Sequence, residues 1–221
     1  MTNYRPISLV SVFSKIIENV MKIRMLSFIS EHIGMDKFQY GFQKNSNTLS
    51  ATMDLMDHLA SNLDRGKIMI AVLIDLRKAF DVVDHGILLD KLERMGFRGV
   101  ILKLIQTYLC DRKHYIGMDK VKSKIALSNC GVPQGSVLGP LLYSLFVLSL
   151  QLSELSAKYF TFADDTVLTY CGDSVSLLSI EANNDLNRYY KWLLQQNLKL
   201  NLNKTKYMIF KQKLKKLAML K

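Results

Sequence analysis

The spacing of apolar residues along the chain predicts several amphipathic helices. Apolar positions recur at helical intervals in five stretches: residues 9–29, 48–63, 87–95, 100–109 and 177–197. A sixth stretch, residues 141–150, is apolar nearly throughout and predicts a buried helix. Gly66 follows the second stretch and is typical of a residue that ends a helix.

Other segments have the composition of β-strands. Residues 68–74 form an unbroken apolar run, which predicts a strand buried on both faces. Residues 158–161 and 167–170 flank Asp164 and Asp165 and predict a hairpin with these two residues at its tip. Further extended segments are predicted at residues 114–116, 120–127, 198–201 and 207–210. The order of these elements predicts an α+β fold, with a small sheet backed by helices.

Three aspartates lie at the ends of predicted strands. Asp75 follows the buried strand, and Asp164 and Asp165 are adjacent, so their charges repel unless a cation offsets them. Taken alone, the pair also fits a solvated turn, and Asp75 fits a capping residue. If the two strands are neighbours, three carboxylates meet at one edge of the sheet, where two Mg²⁺ ions could support phosphoryl transfer.

The charge of the chain favours a polyanionic partner. Lys and Arg number 30 against 19 Asp and Glu, which gives a formal net charge of +11. Nucleic acid is the commonest partner of so basic a protein, although a basic surface without a specific partner also fits. The hydrophobic content of 49% argues against a disordered chain.

The sequence also bears on the compartment of the protein. No apolar run reaches the roughly 18 residues that a membrane span needs, and residues 1–6 lack the pattern of a signal peptide. The three cysteines, Cys110, Cys130 and Cys171, are too dispersed for a zinc site and indicate a reducing compartment. We therefore expect an intracellular protein, in the nucleus or the cytoplasm, that does not act in a membrane.

Four segments in order resemble reverse transcriptases, most of all those of non-LTR (LINE-type) retrotransposons. They are Asp-Leu-Arg-Lys-Ala-Phe-Asp at 75–81, Gly-Val-Pro-Gln-Gly-Ser-Val-Leu-Gly-Pro at 131–140, Phe-Ala-Asp-Asp-Thr at 162–166 and Asn-Leu-Asn-Lys-Thr at 201–205. Residues 3–8 and 39–42 resemble earlier motifs of the same group. The resemblance covers nearly the whole chain and implies an RNA-directed DNA polymerase that uses an RNA template, a DNA primer and a deoxynucleoside triphosphate (dNTP).

The resemblance implies a role for particular residues at the metal site. Asp75 and Asp164 match the two metal-bridging aspartates, Asp165 lies beside them, and the carbonyl of Leu76 is a further candidate ligand. The implied cofactor is a pair of Mg²⁺ ions, with Mn²⁺ as a substitute.

The resemblance also implies a nucleotide site. Phe80 matches the side chain that excludes the ribose 2′-hydroxyl, and Gln134 and Gly135 match the loop over the incoming nucleotide. Lys204 matches the lysine near the triphosphate. Phe80 also fits a plain core residue, and a lone lysine is most often solvated.

The chain departs from the family pattern at several positions. Gln43 replaces an expected Arg that grips the triphosphate, and Lys44 could act only as an imperfect substitute. Asn47 and Thr48 replace a Ser-Thr pair, and residues 146–150 replace Tyr-Ile-Asn-Asp-Leu. We further expect a truncated domain without thumb or endonuclease, with fingers-like residues 1–66 and a palm at 67–221, into which part of the fingers, roughly 86–130, is inserted.

Two alternatives to an active polymerase remain open at this point. A catalytically impaired remnant that binds nucleic acid would need only the basic surface, and a relic that is never expressed would have no function. Another two-metal enzyme, such as a cyclase, would not account for the Gln-Gly loop or Phe80. The sequence does not set the oligomeric state.

Overall fold

The computed structural model describes residues 7–34, 39–41, 46–118, 121–152 and 154–212. The α-helices are α1 Val12–His32, α2 Thr48–Asp64, α3 His85–Arg94, α4 Val100–Leu109, α5 Gly139–Val147 and α6 Val175–Gln195. The strands are β1 Ile68–Ile74, β2 Arg112–His114, β3 Gly117–Met118, β4 Val121–Lys122, β5 Ala126–Ser128, β6 Lys158–Phe162, β7 Asp165–Gly172 and β8 Lys206–Phe210. A 3-10 helix, Leu148–Leu152, follows α5. The predictions for Gln43, Lys44 and the tail beyond residue 212 lie outside the described residues.

Four strands form one antiparallel sheet in the order β6-β7-β1-β8. The predicted strand at residues 68–74 is confirmed with the same bounds, and it lies inside the sheet. Its side chains alternate between two apolar layers, as a central strand requires. Ile70 and Val72 join the core that contains α5 and α6, whereas Ala71 and Leu73 line a cavity beneath α2. The α+β prediction, with a small sheet backed by helices, is confirmed.

Helix α1 is confirmed, but the apolar residues that predict it lie mostly on its exposed face. Phe13 is 80% exposed, and its neighbours in the stripe are also exposed. The buried face is instead formed by Glu18, Met21, Met25 and Ile29. An apolar stripe at helical spacing predicts that a helix is present. Which face of that helix is buried depends on where the neighbouring elements lie, and the spacing does not contain this information.

Several boundaries differ from the predictions. The predicted helix at 141–150 ends at Val147 and continues as the 3-10 helix. The extended segments predicted at 114–116 and 120–127 belong to an arm of two short ladders, β2 with β5 and β3 with β4. Of the extended segment at 198–201, Leu200 forms an isolated bridge with Leu76. Among the described residues, no helix is long and apolar enough to cross a membrane.

Candidate active site at the edge of the central sheet

The register between β1 and β7 brings the three aspartates to one edge of the sheet. Ile74 pairs with Thr166, so Asp75, the next residue along β1, lies opposite Asp165 when the register is extended by one position. Asp164 is in the hairpin turn, where Ala163 has a φ of +57°. Asp165 is the first residue of β7 and pairs with Phe162, so only Asp164 of the predicted pair lies in the turn itself. The two strands are neighbours, so the condition for three carboxylates at one edge of the sheet is met.

Asp75 is held from the opposite side by Asn201. The side-chain Nδ2 of Asn201 donates to Asp75 Oδ2 at 2.6 Å, and its backbone N–H donates to the carbonyl of Asp75 at 2.9 Å. Asn201 opens the turn that carries Lys204, whose side chain is exposed and whose N–H donates to the carbonyl of Asn201 at 3.1 Å. The sequence analysis missed Asn201 as a site residue, although it begins the last of the four motifs.

The hydrogen-bond pattern also orients the carbonyl of Leu76. Asn201 N–H donates to Asp75 and Arg77 N–H donates to Lys199, so Leu76 and Leu200 form a non-hydrogen-bonded pair. In such a pair each residue directs its own N–H and C=O away from the partner segment. The Leu76 carbonyl therefore points toward the side of β7, where Asp164 and Asp165 lie.

An aromatic pair, the buried Tyr143 and the half-buried Phe80, lies beneath this edge. The ring of Phe80 stacks on Tyr143 with centroids 4.3 Å apart and an interplanar angle of 19°. Burial, and to a lesser extent the nearby groups of Tyr189, Asp164 and Asp165, raises the pKa of Tyr143 well above its ordinary value. Its hydroxyl thus stays protonated, and it contributes no negative charge beside the carboxylates.

The Gln-Gly loop is bound to the segment that follows β1. The N–H of Val132 donates to the carbonyl of Phe80 at 2.8 Å, and Gln134 Nε2 donates to Asp81 Oδ1 at 2.7 Å. Gly135 has a φ of +91°, which favours glycine. The structure therefore brings the predicted loop against the segment that bears Phe80.

Glu18 of α1 binds the start of α5 and is a second residue that sequence analysis missed. It is only 1% exposed, and its Oε2 accepts the N–H groups of Val137 at 2.7 Å and Leu138 at 3.0 Å. An acidic side chain satisfies the unpaired N–H groups at a helix N-terminus and interacts favourably with the helix dipole. Its place within a helix gave no signal in the sequence for this contact.

The segment at 39–41 lies against the hairpin. Tyr40 N–H donates to the carbonyl of Thr161 at 2.7 Å, and a Cβ on Gly41 would clash with the backbone nitrogen of Ala163. This glycine is thus required by close approach of the two backbones. The predicted nucleotide-binding residue Lys44 follows this segment but lies outside the described residues.

The three aspartates at this edge are the candidate ligands of a metal ion. Among the described residues, no group of three or more His, Cys, Asp or Glu side chains is arranged to hold a metal ion. The backbone positions of Asp75, Asp164 and Asp165 on adjoining strands nevertheless fit a shared site, and carboxylate and carbonyl oxygens are the ligands that Mg²⁺ prefers. The donor atoms of these residues are therefore of the kind that Mg²⁺ takes.

Solved structures of telomerase share this architecture. The telomerase of Candida albicans, determined in complex with a fragment of telomeric RNA, superposes with a TM-score of 0.64 at 15% identity, covering 87% of this chain and 35% of that chain. The apo telomerase of Candida tropicalis gives a TM-score of 0.59 at 11% identity, over 87% of this chain and 36% of that one. These similarities define an α+β polymerase fold.

Sequence comparison then gives the family. Residues 1–219 match the family described as reverse transcriptase (RNA-dependent DNA polymerase). The probable RNA-directed DNA polymerase from transposon BS of Drosophila melanogaster is 31% identical over 92% of this chain, and the RNA-directed DNA polymerase from mobile element jockey of the same species is 28% identical over 91%. This chain belongs to the reverse transcriptase family, and its relatives include the polymerases of non-LTR retrotransposons. It spans about a quarter, 23%, of the length of both relatives.

Proposed function

We propose that this chain carries out RNA-templated DNA synthesis, in which a primer 3′-hydroxyl attacks the α-phosphate of a dNTP and pyrophosphate leaves. The observation that carries the proposal is the pairing of β1 with β7, which puts Asp75, Asp164 and Asp165 at one edge of the sheet. Family membership supports the same reaction.

The cofactor of this reaction is proposed to be a pair of Mg²⁺ ions, for which Mn²⁺ can substitute. Asp75, Asp164 and the carbonyl of Leu76 would hold them, with Asp165 beside them. When bound, such ions lower the pKa of the attacking hydroxyl and neutralise charge on the departing pyrophosphate.

The other site residues have proposed roles in binding. Phe80, fixed by its stack on Tyr143, limits the space at the sugar 2′ position. Gln134 and Gly135 contact the incoming nucleotide, and the exposed Lys204 donates a proton to pyrophosphate. In this arrangement residues 1–66 act as fingers and residues 67–221 as the palm, with 86–130 inserted as further fingers.

The test is primer extension on a primed RNA template with and without Mg²⁺, using the wild-type chain and Asp164→Asn. We expect metal-dependent dNTP incorporation that the substitution abolishes. Asp173→Asn is the matched control, because Asp173 follows the opposite end of β7 and forms an ion pair with Lys67. Absence of product, or product that Asp164→Asn leaves undiminished, would refute polymerase activity.

A second candidate function, nucleic-acid binding without catalysis, is favoured by the charge of +11. The arm formed by β2 to β5 adds exposed basic side chains, among them Lys113, Lys122 and Lys124. Such binding depends on phosphate contacts and weakens steeply with salt. If the chain only binds nucleic acid, Asp75→Asn should have the same RNA affinity as the wild type at every salt concentration. If the same variant loses dNTP incorporation, the chain is a catalyst.

A further inference from the structure

Asp81 lies in the turn after β1, and the proposed reaction gives it no role. Its carboxylate is half-buried, and Oδ1 accepts the hydrogen bond from Gln134 Nε2 at 2.7 Å. A carboxylate at neutral pH only accepts hydrogen bonds, so it requires the nitrogen of the amide to face it. The carbonyl oxygen of the Gln134 amide must therefore point away from Asp81.

The backbone of Asp81 is itself fixed in place. Its N–H donates to the carbonyl of Lys78 at 2.8 Å, and Cys130 Sγ donates to the carbonyl of Asp81 at 3.4 Å. Gly131 passes so close that a Cβ there would lie 2.6 Å from the same carbonyl oxygen. The carboxylate thus extends from an anchored point.

The backbone of Gln134 is anchored independently. Ser8 N–H donates to its carbonyl at 2.8 Å, and a Cβ on Gly135 would lie 3.2 Å from Ile7 Cγ2. With both backbones held, the freedom that remains is in the Gln134 side chain, and the bond to Asp81 removes it. Ordering a binding group before the ligand arrives lowers the cost of binding.

We propose that Asp81 is a positioning residue, which holds the Gln134 amide so that its oxygen faces the incoming nucleotide and the template. This inference rests on the proposed polymerase function. Asp81 acts through Gln134 and touches neither the reacting phosphate nor the metal site. Its loss should therefore change nucleotide affinity much more than the rate of the chemical step.

The test is a double-mutant cycle of Asp81→Ala and Gln134→Ala, with KM for dNTP and kcat measured in primer extension. Each single variant should raise KM about tenfold, the size expected for one hydrogen bond to a charged group, while kcat changes less. The double variant should be no worse than either single one. Asp81→Asn keeps an acceptor oxygen but is neutral and can also donate, so it no longer fixes which end of the Gln134 amide faces it, and it should raise KM less than Asp81→Ala does.

Asp84→Ala is the matched control. Asp84 lies three residues further on and caps α3 through a bond from the Ile87 N–H at 3.0 Å. Its loss should lower stability without raising KM and without coupling to Gln134. A control of this kind separates a nucleotide effect from general destabilisation of the turn.

The outcomes separate the two proposals. An active wild type with additive effects of Asp81→Ala and Gln134→Ala would overturn this inference and leave the polymerase function standing. A wild type without Asp164-dependent incorporation would overturn both. If Asp81→Ala does not fold, a second test uses the melting temperature. Gln134→Glu places a second carboxylate against Asp81 and should lower the melting temperature, and the double variant Gln134→Glu/Asp81→Asn should restore it. No restoration would refute the bond between Asp81 and Gln134.

Discussion

Asn201 binds Asp75 from the side opposite β7. Its Nδ2 donates to Asp75 Oδ2 at 2.6 Å, and its backbone N–H donates to the Asp75 carbonyl at 2.9 Å. The two residues are 126 positions apart in the chain. Because Oδ2 of Asp75 accepts this bond, the orientation of the whole carboxylate is fixed, including that of Oδ1. Asn201, in the last motif of the chain, thus orients the carboxylate of Asp75 in the first.

Replacing Asn201 should weaken both stability and activity. Asn201→Ala removes a donor to a carboxylate, and we expect a loss of about 1–2 kcal/mol in the free energy of unfolding. Incorporation should also fall, because Asp75 loses its fixed orientation. Urea unfolding and primer extension measure the two effects. Asn203→Ala, an exposed position in the same turn, should change neither, and equal effects of the two variants would contradict this role.

Gly131 should tolerate no side chain. Gly131→Ala combines a φ of +84° with a Cβ only 2.6 Å from the Asp81 carbonyl oxygen, and we expect a loss of about 2–4 kcal/mol. Gly66→Ala is the control, because Gly66 has a φ of +76° but nothing within 4 Å of the added Cβ. That variant should lose only about 1 kcal/mol. Equal losses in denaturant unfolding would mean that the close approach does not matter.

The contact between Glu18 and the start of α5 should depend on charge. Glu18→Gln keeps the shape and an acceptor but weakens both bonds to backbone N–H groups, at a cost of about 1–2 kcal/mol. Glu31→Gln changes an exposed residue of the same helix and should stay within about 0.5 kcal/mol of wild type. Thermal unfolding compares them. A negligible effect at Glu18 would show that the carboxylate is replaceable there.

Lys91 should make stability depend on pH at alkaline values. Burial lowers the pKa of Lys91 from its ordinary 10.5 to about 8, although the charge of Asp90 opposes the shift. Between these values the unfolded chain holds a proton that the folded chain has released, so this residue makes the folded state more stable as pH rises. Below about pH 8 both states are protonated, and the contribution is constant.

The measurement compares wild type with Lys91→Met, so that other titrating groups cancel. From pH 8 to 10, the free energy of unfolding of the wild type should increase relative to that of the variant. The neutral amine still donates to Phe146 and Ser149, so the fold retains these contacts. A constant difference would refute the shift.

Removing the ring of Phe80 should relax selection against ribonucleotides. In Phe80→Ala the space beside the sugar opens, and we expect ribonucleotide use relative to dNTP to rise roughly 10- to 100-fold. The loss of the stack on Tyr143 should also lower stability. Phe28→Ala, which removes a half-buried ring packed on Phe97, tests for general destabilisation. If the use of ribonucleotides relative to dNTP in primer extension does not change, Phe80 is only a core residue.

The sequence predicts the parts of this site that depend on local patterns. The apolar run at 68–74 and the aromatic segments around Asp164 specify strands, and a strand that ends in aspartate brings its carboxylate to a sheet edge. Neither pattern contains the partner of Asp75, because the bond to Asn201 joins distant segments. Glu18 was missed for a similar reason: a charged residue within a helix is ordinarily solvated, and only packing reveals that it meets another helix.

Strand β1 is covered by helices on one face and by α2 on the other, and it is hydrogen-bonded along both edges. Asp75 directly follows this strand, so its backbone continues from a segment that is paired along both edges. The Gln-Gly loop is also anchored, through the bond from the Ser8 N–H to the Gln134 carbonyl. In the proposed reaction, a primer and a dNTP therefore meet a site whose backbone is set before they arrive.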